Sequence, residues 1–225
     1  MVPRLDLPSA APLGIAEDLA TLARDLFATL READHDGVGI TRETYAEGET
    51  RAMRRIEALS RDAGLRCAWD DAANLRVTLD GTDPILPAAA CGSHLDSVPQ
   101  GGNYDGAAGV IAGLLALLQA SREPPRPRTL HLFVLRGEES AWYGRPYLGS
   151  SALFGMFDPA WLDLPNLRDP ALTLGAAMAR EGADVARIAA RERLLDPAAL
   201  SHFVELHIEQ APVLVARRVP VGLVS

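Results

Sequence analysis

The sequence contains no lysine, so all 22 of its basic side chains are arginine. Without lysine the chain has no Schiff-base nucleophile, no pyridoxal-phosphate site and no phosphate-binding loop of the GK[ST] type. Cysteine is also scarce. Cys67 and Cys91 lie far apart without a CxxC spacing, and they predict neither a disulfide framework nor a cysteine-built zinc site. This cysteine usage favours a reduced, cytoplasmic setting.

Long apolar runs are missing as well. The longest, residues 106–118, is shorter than the roughly 20 residues that span a bilayer and predicts a buried core helix instead. Residues 1–12 contain one arginine and scattered prolines but no continuous apolar segment, so we expect no secretion signal there.

Acidic residues outnumber basic ones. The 30 Asp and Glu side chains leave a formal net charge of −8, which disfavours nucleic acid or an anionic membrane as the partner. A chain of 225 residues with 48% apolar and 23% charged residues can build one large core, with or without an appendage. The composition predicts a solvated acidic enzyme.

Apolar residues recur at helical spacing in some segments and form short β-prone runs in others. Leu19, Leu22, Leu26 and Leu30 mark the first helix, and Gly64 follows the second helix as a stop. Helices are predicted at 15–30, 44–63, 106–120, 172–180 and 185–195, with a helical turn near 197–200. Strands are predicted at 65–69, 74–79, 85–91, 129–135, 203–208, 213–215 and 219–224.

Strand 85–91, helix 106–120 and strand 129–135 follow one another as in a right-handed βαβ unit. Such units belong to largely parallel sheets that helices cover on both faces. We therefore predict an α/β fold, a three-layer sandwich of helices around a mostly parallel sheet, incomplete at its C-terminal side. Catalytic groups are expected at the carboxyl ends of the strands.

Two polar clusters lie near the end of the first strand of this unit. His94 and Asp96 are two residues apart in an extended segment and face the same way, so one can ligate a metal while the other orients it. Asp105 lies among glycines at the start of the apolar helix, where the helix N-terminus favours its charge. Taken alone, Asp105 could be only an N-cap.

Two further clusters follow later strands. Glu138 and Glu139 come directly after strand 129–135 and project in different directions, so one can bind a metal while the other acts as a general base. The alternative is that both glutamates are solvated surface residues. Glu205, His207 and Glu209 alternate with apolar residues and would lie on one face of a strand.

Together the clusters offer two histidines and three carboxylates, a nitrogen and oxygen set that suits Zn²⁺, Mn²⁺ or Co²⁺. His35, His131 and His202 are isolated, and we expect none of them to be a ligand. Serine catalysis is disfavoured because Ser93 and Ser140 lack a GxSxG elbow.

Four segments carry a resemblance to a known family, in whose order they appear. They are GSHLDSVP at 92–99, GGNYDG at 101–106, RGEES at 136–140 and ELHIEQ at 205–210. In these segments the sequence resembles the N-carbamoyl-L-amino-acid hydrolases, allantoate amidohydrolases and β-ureidopropionases, which are two-metal amidohydrolases related to aminoacylases and metallo-exopeptidases. The resemblance covers nearly the whole chain and implies a zinc-exopeptidase-like fold.

The resemblance implies a pair of divalent metal ions, with Zn²⁺, Mn²⁺ and Co²⁺ as candidates. His94 and His207 would bind one ion, and Asp105 would bridge both. Glu139 would bind the second ion.

The resemblance also implies catalytic roles. Asp96 would steady the His94 ring, and Glu138 would take a proton from a bridging water and pass it to the leaving nitrogen. Gln210 resembles a residue that contacts substrate. The implied reaction is hydrolysis of N-carbamoyl amino acids or allantoate-like amides. An aminoacylase or dipeptidase of the same superfamily, and a truncated non-catalytic fragment, are the alternatives.

The sequence departs from the family at Ala211, where glycine is usual, and in its length. Family members are nearly twice as long. We therefore expect residues 1–211 to be the N-terminal portion of a catalytic domain and residues 212–225 to begin a lid and dimerisation domain. The last histidine ligand and the homodimer contacts would belong to the full-length form.

Overall fold

A mixed sheet of five strands forms the centre of the fold, in the order β1-β2-β4-β3-β5. The computed structural model describes residues 15–224, so the segment 1–12, where we predict no secretion signal, lies outside the described residues. The strands are β1 (Arg66–Trp69), β2 (Leu75–Leu79), β3 (Ala88–His94), β4 (Leu130–Leu135) and β5 (Leu200–Val204).

The helices bury the apolar stripes that predicted them. Leu22, Leu26 and Leu30 of the first helix are buried, and Gly64 adopts a positive φ of 79° just after the second, as a helix stop requires. The helices are α1 (Ile15–Asp34), α2 (Glu47–Asp62), α3 (Ala107–Ser121), α4 (Leu148–Leu153), α5 (Leu174–Arg180), α6 (Val185–Ala189) and α7 (Val213–Arg217), with 3₁₀ turns at Pro159–Asp163 and Pro197–Ala199. Within residues 15–224, none of the helices has the length and apolar character needed to cross a membrane.

The predicted α/β fold is confirmed, and β3, α3 and β4 form the expected strand–helix–strand unit. β3 and β4 are parallel neighbours, with His94 opposite Leu135 at the carboxyl end of the ladder. β5 is also parallel to β3, whereas β2 runs antiparallel to both of its neighbours, β1 and β4. Because β3, β4 and β5 point the same way, the residues that follow them meet at one edge.

The two faces of the sheet have different partners. Side chains alternate along β4, so that Leu132 and Val134 pack with apolar residues of α1, α2 and α3. Phe133 points to the other face, where it packs with Leu153 of α4 and with Leu194. The sheet is therefore covered on both sides of β4. Cys67 and Cys91 are free thiols, as predicted.

A second apolar cluster lies beyond the end of β4. Trp142, Leu148, Phe157 and Leu174 are fully buried in it. The cluster anchors the chain directly after Glu139, so the acidic pair lies between a buried strand and a packed core.

The prediction for β3 was wrong in its bounds. Ile85 is 90% exposed and lies in a turn, and the strand continues past Gly92 to His94. Gly92 does not end the strand. Glycine is needed there because β3 passes close to the backbone of Phe133, so that an added Cβ would lie 2.4 Å from the Phe133 carbonyl oxygen. The continuation makes His94 the last residue of the strand.

The strand predicted at 203–208 exists but was wrong in its bounds, and the two strands predicted after it were wrong. The ladder between β3 and β5 ends where Cys91 pairs with Val204, so residues 205–208 follow the strand and do not belong to it. Residues 213–217 form α7, and residues 219–224 have no regular structure. The Glu209 carboxylate accepts the N–H of Leu214 in the first turn of α7, which favours a helix there. The predicted helix 185–195 is shorter and ends at Ala189.

Candidate metal centre

Side chains from four separate segments meet at the carboxyl edge of the sheet. His94 ends β3, Glu138 and Glu139 follow β4, Asp105 precedes α3, and His207 follows β5. Their nitrogen and oxygen atoms form two groups that share His94, one completed by Asp105 and His207 and the other by the two glutamates. The potential ligand atoms of each group lie within 4.8 Å of one another.

The two imidazoles face each other through their Nε2 atoms. Nδ1 of His94 lies 3.0 Å from the carbonyl oxygen of Asp96, and Nδ1 of His207 lies 2.9 Å from that of Ile208. A carbonyl oxygen can only accept, so each Nδ1 carries the proton that it donates, and in the neutral ring each Nε2 keeps its lone pair. The two Nε2 atoms are 3.5 Å apart, which suits binding to a common ion.

One oxygen of Asp105 completes this arrangement. Its Oδ1 lies 3.3 Å from Nε2 of His207 and 3.8 Å from Nε2 of His94, and it is buried without accepting a hydrogen bond. The other oxygen accepts a bond from the Gln210 amide at 2.5 Å. A buried carboxylate oxygen that lacks a donor and faces two imidazole nitrogens fits a divalent cation, because the cation would satisfy all three atoms.

The electrostatics of the centre favour an added positive charge. Although burial opposes it, the hydrogen bond that His94 donates to Asp96 and the charges of Asp96, Glu138 and Glu139 raise the pKa of His94 to about 9. Burial, reinforced by neighbouring carboxylates, raises the pKa of Glu139 to about 7 and also raises that of Glu138. The shift of His94 thus reflects the carboxylates around it, whereas the shifts of the two glutamates come first from burial.

Asp96 connects the histidine with the acidic loop. Its Oδ1 lies 3.2 Å from Nδ1 of His94 and accepts the N–H of Glu138 at 3.1 Å. Its Oδ2 accepts the N–H of Glu139 at 3.1 Å and the hydroxyl of Thr44 at 2.5 Å. Asp96 is fully buried, so it can orient these groups but contacts no solvent.

The segment after β5 reaches the centre without being a strand. Ser93 donates its hydroxyl to Glu205 at 2.6 Å, which ties the start of this segment to β3. His207 and Gln210 then reach Asp105, while Glu209 turns away to α7. The expectation that Glu209 shares a face with His207 was therefore wrong, because no ladder holds these residues in strand geometry.

Asp105 is not an N-cap. The N-cap of α3 is Gly106, and no side chain caps this helix. The Asp105 carboxylate is directed to the two histidines instead.

The three remaining histidines lie elsewhere. His35 is in the loop after α1, His131 lies in β4 with Nδ1 3.0 Å from the Thr78 hydroxyl, and His202 is exposed in β5. Neither ligand group found among residues 15–224 includes any of them.

Thr44 contacts Asp96, and Glu49 contacts Arg136 and Gly137, although no motif in the sequence marks Thr44 or Glu49. Both are fully buried polar residues near the start of α2. Their only indication in the sequence is a polar side chain beside an apolar stripe, which usually marks a solvated position.

An apolar cavity of about 330 Å³ opens beside the centre. Phe133, Leu153, Phe154 and Phe203 line it, and so does Glu138. A small molecule can therefore approach the Glu138 carboxylate, which is 31% exposed.

Comparison with known proteins finds relatives over most of the chain. The sequence is 34% identical over 189 residues to an N-carbamoyl-L-amino acid amidohydrolase of Geobacillus stearothermophilus, covering 83% of this chain and 45% of that protein. It is 33% identical over 195 residues to an allantoate amidohydrolase of Bacillus subtilis, covering 86% and 46%. The fold matches the crystal structure of a hydantoinase/carbamoylase family amidase from Burkholderia ambifaria with a TM-score of 0.71 and 29% identity, covering 89% of this chain and 48% of that one.

No protein-family model matches the sequence. The chain spans about half the length of the curated relatives it matches. Sequence and fold comparisons lead to the same group of amidohydrolases and amidases, as the four motifs predict.

Proposed function

We propose that this protein hydrolyses a C–N bond of a linear ureido compound, since the chain belongs to the family of N-carbamoyl-L-amino-acid and allantoate amidohydrolases. The observation that carries the proposal is the convergence of His94, Asp105 and His207 with Glu138 at one edge of the sheet. The substrate would be a small molecule such as an N-carbamoyl amino acid or allantoate.

The ligands of the proposed metal pair come from both groups at the centre. His94 and His207 would hold one ion, with Asp105 bridging to a second ion held by Glu139. Bound divalent ions of this kind lower the pKa of a water and polarise a scissile carbonyl. Zn²⁺, Mn²⁺ and Co²⁺ suit this nitrogen and oxygen donor set.

Glu138 would be the general base and then the general acid. Its Oε2 lies 3.6 Å from Nε2 of His94, so it reaches the place where the reacting atoms would gather. Burial raises its pKa towards the range in which a carboxylate can both accept and return a proton. Glu138 would take a proton from the attacking water and deliver it to the leaving nitrogen.

Two other side chains would support the reaction. Asp96 would keep Nδ1 of His94 protonated, and so leave Nε2 of that ring available to a cation. Gln210 would contact the substrate from its position beside Asp105. Residues 1–211 would form the part of the catalytic domain that carries all of these groups.

The test is ammonia release by the complete product of the gene, stripped of metal and then loaded with Zn²⁺, Mn²⁺ or Co²⁺. Substrates would be a panel of N-carbamoyl amino acids and allantoate, with N-acetyl amino acids and dipeptides in parallel and Glu138→Gln as the inactive control. Turnover of at least one ureido compound supports the proposal. Turnover of only acyl amides would assign an aminoacylase or dipeptidase, and no turnover by the fully loaded protein would refute hydrolysis.

A further inference from the structure

The segment that leads into α2 is unusually rich in buried polar side chains. Arg42, Thr44 and Glu49 have no solvent exposure, although such residues are mostly found at the surface. They lie far from the motifs in sequence, since Thr44 is 52 positions from Asp96 and Glu49 is 88 positions from Gly137.

The turn after β4 has no regular structure, yet three successive backbone N–H groups in it are satisfied. The N–H of Gly137 is accepted by Glu49 at 3.1 Å, and the N–H groups of Glu138 and Glu139 are accepted by Asp96 at 3.1 Å each. Two buried carboxylates therefore fix the direction in which this turn leaves the sheet.

Each of these carboxylates is itself held by a group outside the motifs. The Thr44 hydroxyl donates to Oδ2 of Asp96, the oxygen that also accepts the N–H of Glu139. The Thr44 methyl group packs on Gly137, because a Cβ built there would lie 2.8 Å from Cγ2 of Thr44. Gly137 also adopts a positive φ of 60°, a backbone conformation that favours glycine.

The Glu49 carboxylate also accepts several hydrogen bonds. Its Oε2 accepts the N–H of Tyr45 at 2.8 Å and a guanidinium N–H of Arg136 at 2.7 Å. Arg136 also donates to the Thr50 hydroxyl and to the carbonyl oxygen of Ala73, both at 2.7 Å. The residue before the turn and the first residue within it are thus both bound by one carboxylate.

We propose that Thr44 and Glu49 are positioning residues, which hold the turn 137–139 so that Glu138 and Glu139 point at His94. The inference rests on the proposed function, because that function gives the two glutamates their roles. Thr44 acts through Asp96, and Glu49 acts through Arg136 and the backbone of Gly137. Neither touches the place where substrate would bind.

Thr44→Val and Thr44→Ser are the sharpest variants, because valine keeps the volume and methyl contact while serine keeps the hydroxyl. The first measurement is backbone hydrogen exchange in the metal-free 225-residue chain, which needs no substrate. Thr44→Val should speed exchange of the Glu138 and Glu139 amides by at least about tenfold, since a hydrogen bond to a charged group is lost. Thr44→Ser and a control at an exposed threonine, Thr82→Val, should match the wild type.

The second measurement is steady-state kinetics of the complete, metal-loaded protein. Thr44→Val should lower kcat by at least about tenfold with little change in KM, and Thr44→Ser should restore kcat. A merely structural role would lower the melting temperature and speed exchange throughout β3 and β4 alike. That result, or unchanged exchange at Glu138 and Glu139 in Thr44→Val, would overturn the inference.

Glu49→Gln provides a second, independent variant. The glutamine oxygen can face the Gly137 N–H or the Tyr45 and Arg136 donors, but not both, so exchange at Gly137 or at Tyr45 should rise selectively. Unchanged exchange at both amides in a folded Glu49→Gln chain would contradict the assignment. If the substrate panel shows no hydrolysis, the exchange results still decide whether these residues hold the turn.

Discussion

Gly106 lies directly against the imidazole of His94. A Cβ at this position would come within 2.6 Å of Cδ2 and Cε1 of the ring and within 2.5 Å of the His94 carbonyl oxygen. The residue also has a positive φ of 60°. Only glycine allows the chain to pass so close to the ring in this conformation, and this passage brings the neighbouring Asp105 carboxylate towards Nε2.

Gly106→Ala should therefore damage both the fold and the centre. We expect the free energy of unfolding to fall by about 2–4 kcal/mol, from the clash with His94 and the strained backbone. Urea denaturation of the 225-residue chain measures this loss. Gly102→Ala is the matched control, because a Cβ there meets no atom within 4 Å. Equal stability of the two variants would show that the contact with His94 is not tight.

Removal of one proposed ligand should weaken metal binding. Mutation of a residue that only hydrogen-bonds to a metal ligand typically lowers metal affinity by about 10–100-fold. Loss of a ligand itself, in His207→Gln or Asp105→Asn, should therefore lower the affinity by at least about 100-fold. Titration of Zn²⁺ into the metal-free chain, with the metal content of the dialysed protein, provides the measurement. His202→Gln, at an exposed histidine of β5, serves as the control. If His207→Gln binds Zn²⁺ as tightly as the wild type, His207 is not a metal ligand.

Glu138 and Glu139 should behave differently when each is changed to glutamine. Glu138→Gln should lower kcat by about 10²–10⁴, the contribution typical of general acid–base catalysis, and should leave the metal content unchanged. Glu139→Gln should lower the metal content of the loaded protein by one ion. Metal analysis and turnover of the same preparations separate the two outcomes. If Glu138→Gln loses one ion and Glu139→Gln keeps both ions but loses turnover, then Glu138 is the ligand and Glu139 is the general base.

His131 should make the protein less stable in mild acid. Burial, together with the charges of Arg76 and Arg66, lowers the pKa of its imidazole from 6.5 to about 4. Between these pH values the unfolded chain binds a proton that the folded chain does not, so the free energy of unfolding should fall as the pH is lowered. The loss should be on the order of 1–2 kcal/mol at pH 5.

The His131→Gln variant isolates this effect. Its side chain does not titrate, so the difference in unfolding free energy between wild type and variant should change between pH 7.5 and pH 5. Urea unfolding at both pH values provides the measurement. A difference that stays constant over this range would mean that His131 takes up its proton equally well in both states.

Much of the centre could be predicted because parallel strands bring distant residues to one edge. Each of His94, Glu138 and His207 follows or ends a strand, and the strand–helix–strand order placed two of these strands side by side. The direction of the Glu209 side chain, which points to α7, could not be predicted. Its alternating segment looks the same whether or not a neighbouring strand continues, and β5 stops at Val204.

Three properties follow from the sequence alone: the α/β class, the helices that bear regular apolar stripes, and the kinds of ligand atom available to a metal. These properties depend on local periodicity and on the chemistry of single side chains. Packing of the whole chain sets which imidazole nitrogens face each other and which buried groups contact Asp96 and Gly137. Those relationships are hydrogen bonds between segments far apart along the chain, and the geometry of such bonds exists only once the core has brought the segments together.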